Sequence, residues 1–170
     1  MARIDYADIT NPAIKPLVER IQNERSSVPN LYKMLLNSPP VAEGWLNYLT
    51  AIRQKSGLSP KIRELLIMRV AVLNKADYEF EQHLPIAIKE GCTQAQVDGL
   101  KANDFSLFNE QERATILYCD EMTRDIRVKD TTFAAIRKCF NDKEIVEITA
   151  TIAAYNMVSR FLEAIQVDHE

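Results

Sequence analysis

Residues 61–83 read KIRELLIMRVAVLNKADYEFEQH. Ser59-Pro60 stands in front of them, a serine cap followed by a proline suited to the first helical turn. Ile62, Leu65, Leu66, Met68, Val72 and Leu73 cover almost the whole circumference of the helix that follows, so it is expected to be central and mostly buried. Asn74-Lys75 reads as a break. A second helix then runs from about Asp77 to Glu90, where Gly91 is a natural stop. Two helices joined by so short a break predict an antiparallel helical hairpin.

The flanking sequence is punctuated in the same way. Upstream, short helices are expected over residues 13–23 and 30–37. Ser38-Pro39-Pro40 starts a further helix carrying Val41, Trp45, Tyr48, Leu49 and Ile52 toward Gly57. Downstream, Thr93-x-x-Gln96 and Asn109-x-x-Glu112 form capping-box patterns, Asp130 opens a helix to about Phe140, and Asn141-x-x-Glu144 opens a long apolar one to about Ile165. No stretch alternates with period two, which argues against a sheet. No linker or composition shift divides the chain. The expectation is an all-α, single-domain bundle of about eight helices over residues 1–170. The segments beginning at Glu64 and Glu147 echo one another, each a Glu followed by small or apolar residues. Either an internal repeat or the general likeness of apolar helices accounts for that.

Composition narrows the partners. The formal net charge is −3, which gives no electrostatic reason to expect nucleic acid. No run approaches the ~20 apolar residues of a membrane span, and Met1 to Tyr6 holds no apolar leader stretch. No membrane partner and a cytoplasmic location are therefore expected. Cys92, Cys119 and Cys139 are odd in number and widely spaced, so they suggest small buried thiols rather than a disulfide framework or a zinc site.

Within the hairpin, Glu64 lies on an otherwise apolar helix. A carboxylate there must find a partner or resist ionisation. Folding back at Asn74-Lys75 puts Glu64 about 15 Å and His83 about 12 Å from the turn, at ~1.5 Å per residue, so the two side chains can meet. Glu79 and His83 are four apart and share a helical face. A Glu64–Glu79–His83 cluster sheltered by Leu65, Met68 and Phe80 can hold a proton near neutral pH, as general acid–base work requires. The plainer alternative makes Glu79–His83 a solvated surface pair and gives Glu64 a salt bridge to Arg63 or Arg69. A metal site is not expected. Di-iron carboxylate bundles use Glu-x-x-His, but Phe80 stands three before His83 and no second histidine lies near.

The segment resembles the signature region of the alkylhydroperoxidase D-like, or carboxymuconolactone decarboxylase, family. That family places a C-x-x-C pair twelve and fifteen residues after a glutamate, and a histidine nineteen after it. Counted from Glu64, the histidine position is His83, and the cysteine positions are Ala76 and Glu79. The stretch from Leu84 to Val97, then residues 110–114 and 144–161, extend the resemblance to roughly residues 28–167, in a branch without the cysteine pair.

The resemblance implies two chemistries. The peroxidase branch works by thiol–disulfide exchange, which Ala76 and Glu79 cannot perform. Antioxidant activity of the peroxiredoxin kind would need a route without C-x-x-C, and Cys92 is the one substitute in reach. The decarboxylase branch acts on a small lactone acid without metal or organic cofactor, and it fits the residues better. His83 would then be the proton donor, Glu64 would orient or relay, Glu79 would tune the imidazole and Tyr78 would bind substrate. The rival is a non-catalytic binding module in which Trp45, Tyr48, Tyr78, Tyr155, Met157 and Phe161 line an apolar pocket, or simply form core or interface. The resemblance also implies a homo-oligomer, a trimer or hexamer. The apolar final helix (Ile145, Ile148, Ile152, Tyr155, Val158, Leu162) is in keeping with that.

Overall fold

Prolines and capping side chains set where the helices begin. The computed structural model describes residues 1–170 as nine α-helices and no strand. They are α1 (Lys15–Arg25), α2 (Asn30–Leu35), α3 (Pro39–Thr50), α4 (Pro60–Asn74), α5 (Asp77–Lys89), α6 (Gln94–Ala102), α7 (Glu110–Asp125), α8 (Asp130–Cys139) and α9 (Asp142–Ile165), with a π-helical turn over Ala51–Lys55 after α3. Thr93 and Asn109 close reciprocal capping boxes with Gln96 and Glu112. Asn141 and Glu144 exchange the same pair of bonds. Ser38 and Ser59 occupy the expected cap positions of α3 and α4, but neither side chain bonds the helix backbone. There the proline in the first turn, with its fixed φ and no N–H to satisfy, starts the helix by itself.

The chain divides into two compact units. One comprises residues 1–55 and 162–170, the other 56–161. The first unit contains α1 to α3 and the last turn of α9. It buries Ile21, Met34 and Leu46. Its two chain ends are tied together, since the Tyr6 hydroxyl donates to Asp168 Oδ2 at 3.0 Å and Arg3 N donates to Ile165 O at 2.9 Å.

The second unit is built around α4, which packs against α5, α6 and α7. Residues 64–71 of α4 are all buried, and Leu65, Leu66, Ile67 and Met68 expose nothing. Each such side chain contributes about 1.5–3 kcal/mol of apolar burial, which is why the helix has no polar stripe. The hairpin turn falls at the expected break. Lys75 takes the left-handed conformation (φ 56°) that ends α4, and Asp77 begins α5. Gly91, at φ 99°, closes the turn after α5.

Candidate active site

Folding α5 back along α4 brings the expected pair together. His83 Nδ1 lies 2.8 Å from Glu64 Oε2. Both are interior, with side-chain exposures of 9% and 1%. Glu64 Oε1 accepts a second bond from Arg63 Nε at 3.2 Å. Burial by itself would raise the Glu64 carboxyl above the ordinary glutamate range. The hydrogen bond and charge of His83, with those of Arg63, outweigh it and hold Glu64 below that range. Of the two outcomes open to a buried acid, Glu64 has taken the partner.

The wall opposite the hairpin comes from α9. The Tyr155 ring packs edge-on against the imidazole, with centroids 5.1 Å apart and planes 88° apart. One turn further on, Ser159 Oγ donates to Glu79 Oε2 at 2.9 Å. Glu79 is 2% exposed, so it is not the solvated surface residue of the plainer alternative. It lies one turn before His83 on the same face of α5. Tyr78 is buried too, but stands about 140° around α5 from His83, at ~100° per residue. Phe80 stands about 60° around α5 from His83, and its ring lies 3.9 Å beneath Lys101 Nζ.

Arg69, the other basic residue considered for Glu64, is occupied elsewhere. Its guanidinium meets both oxygens of Asp120 at 2.6 Å, donates to Leu100 O at 2.5 Å and to Asn103 Oδ1 at 2.8 Å, and stacks over the Phe105 ring at 5.0 Å. This second buried ion pair was not anticipated from the sequence, and neither was the contact of Ser159 with Glu79. A polar residue four positions after Tyr155 on an apolar helix was the available signal for Ser159.

Cys92 and Cys119 are buried free thiols, as expected, while Cys139 is partly exposed. Burial pushes the Cys92 thiol up to about 11 and the Cys119 thiol up to about 12. Neither is the activated thiolate that exchange chemistry needs.

A helical hairpin that buries a carboxylate against an imidazole within an all-α bundle places the second unit in the alkylhydroperoxidase D-like class of folds. The solved structures agree. An uncharacterized peroxidase-related protein from Silicibacter sp. TM1040 aligns with a TM-score of 0.85 at 19% identity, over 99% of this chain and 92% of that one. The alkylhydroperoxidase AhpD core of a peroxidase-related protein from Ralstonia eutropha JMP134 gives the same figures, 0.85 at 19% identity over 99% and 92%. A cysteine-to-alanine variant of the debrominase Bmp8, in complex with 2,3,4-tribromopyrrole, aligns with a TM-score of 0.83 at 16% identity, over 100% of this chain and 94% of that one. Residues 39–118 match the model of the carboxymuconolactone decarboxylase family. No curated protein matches the sequence. No helix is long and apolar enough to cross a membrane.

Proposed function

We propose that the Glu64–His83 pair performs cofactor-free proton transfer on a small organic acid or lactone, decarboxylation being the reaction that fits best. The observation carrying this is the buried 2.8 Å contact between Nδ1 and the carboxylate. With Nδ1–H donated to Glu64, the imidazole exchanges its working proton at Nε2. The ionised Glu64 stabilises the imidazolium and fixes the ring. Loss of carbon dioxide leaves an enolate-like carbanion, and the Nε2 proton quenches it. Glu79 tunes the imidazole from one turn away, and Tyr78 is the substrate-contacting residue of this reading.

Carbon dioxide release from small lactone acids tests it. His83→Gln and Glu64→Gln are each expected to lower kcat by about 10²–10⁴. Full turnover in both variants would refute the reading. Binding without turnover, together with a solvent-like titration of His83, would instead make the chain a ligand-binding module. The thiol route has a separate test. Exchange of all three cysteines for serine should leave turnover unchanged, because Cys92 and Cys119 are buried and held protonated.

The same reading takes the protein as a homo-oligomer. Leu117, Phe133, Val146 and Met157 on α7 to α9 stay exposed in the single chain, which supports it. Light scattering at micromolar concentration should give a trimer or hexamer, and a monomer would refute it.

A further inference from the structure

Ser159 is fully buried, and its Oγ lies 2.9 Å from Glu79 Oε2 and 2.9 Å from the carbonyl oxygen of Tyr155. A hydroxyl has one hydrogen to donate and lone pairs with which to accept. While Glu79 is ionised it is the stronger acceptor and takes that hydrogen. When Glu79 is protonated the bond reverses. The carboxyl O–H donates to Ser159 Oγ, and the serine hydrogen turns to the Tyr155 carbonyl. Neither state strands Glu79 Oε2 or Ser159 Oγ. A fixed donor behaves differently: the guanidinium of Arg69 cannot accept a hydrogen from a protonated Asp120.

We propose that Ser159 is a positioning residue that makes Glu79 the proton-holding partner of the Glu64–His83 pair. Glu79 takes up or releases a proton at Oε2 while keeping its bond to Ser159, and its charge sets how firmly the imidazole keeps its own. The placement is concerted, since the turn of α9 that holds Glu79 also sets the Tyr155 ring against His83. His83 lies one turn on from Glu79 along α5 and is itself bonded to Glu64 of α4 and packed by Tyr155 of α9, while Cys119 of α7 feels the charges of Glu79, Asp120 and Arg69. Arg69 is committed to Asp120, Cys119 stays protonated and Glu64 is held ionised by His83 and Arg63, which leaves Glu79 and the imidazole as the pair on which the proposal turns. The inference rests on the proton-transfer reading of His83, and it is tested on the free, full-length chain without substrate.

The experiment is a double-mutant cycle read by NMR titration of the His83 ring and of the Glu79 side-chain carboxyl carbon. Ser159→Ala should raise the Glu79 titration by about one pH unit, the size expected for one hydrogen bond to a charged group. It should lower that of His83 by a smaller amount, because the imidazolium loses its charged neighbour. In a Glu79→Gln background Ser159→Ala should no longer move His83. Ser159→Cys keeps the volume with a poor donor and should follow Ala. The proposal is overturned if Ser159→Ala moves His83 equally in both backgrounds, if it moves neither group, or if Ser159→Cys behaves as the native chain. Retained turnover in His83→Gln would instead sink the proton-transfer reading, so the two failures are told apart.

Discussion

Glu64 and Arg69 stand five residues apart on α4. Each is 1% exposed, and each meets a charged or chargeable partner from another helix. They are built in opposite ways. Arg69 uses four of its five N–H donors, with two bonds to Asp120, one to a backbone carbonyl and one to Asn103, and has a ring beneath it. A guanidinium keeps its charge at any ordinary pH, so the pair serves the scaffold. Glu64 is bound instead to a histidine, a side chain that can be neutral or charged. A buried charge whose partner can lose its own is the poorer anchor, and it is the arrangement that the proposed proton transfer would use.

The largest effect should come from halving the permanent pair. Asp120→Ala strands Arg69 in the interior and should cost about 3–5 kcal/mol in urea unfolding. Exchanging both, Arg69→Met with Asp120→Leu, should recover most of that loss, since no charge is left behind. A cost for Asp120→Ala below about 1 kcal/mol would mean the two pairs are not different in kind.

Glu64→Gln should cost less, up to about 2 kcal/mol, because the amide oxygen still accepts from His83 Nδ1. Its large effect should fall on turnover. The native chain should also carry an acid-labile contribution that this variant lacks. The folded Glu64 pKa is depressed, so its stabilisation is fully present above the ordinary glutamate value of about 4.3 and is lost as pH falls through the lower folded value. Urea midpoints of native and variant chains should therefore converge below pH 4.3 or so. The smallest effect should come from an exposed pair. Arg137 and Asp142, at 2.8 Å with side chains 54% and 83% exposed, should change stability by no more than about 0.5 kcal/mol when Arg137 becomes Ala.

The hairpin was legible in the sequence because its signals are local. Ser59-Pro60, the unbroken apolar surface of α4 and the Asn74-Lys75 break fix where each helix starts and stops. The separation of Glu64 and His83 then follows from helical rise alone. The capping boxes at Thr93 and Asn109 were legible for the same reason. What lay beyond reach were choices among distant partners. Asp120 is 51 positions from Arg69, and Ser159 is 80 from Glu79. Nothing in helical period says which of several polar residues on α7 or α9 will face α4 or α5. Glu79 shows the limit most clearly. Its place on the His83 face could be read from four-residue spacing, but its bond to Ser159 depends on how α9 lies against the hairpin.

About 140° of helical rotation separates Glu64 from Arg69 on α4, at ~100° per residue. The Arg69–Asp120 pair and the Glu64–His83 pair therefore look in different directions from one rod. Substitutions at Ala76, Glu79 or His83 leave the bonds of Arg69 on α7 and at Leu100 and Asn103 untouched. A single architecture of this type is open to inheritance by lineages that have exchanged one reaction for another.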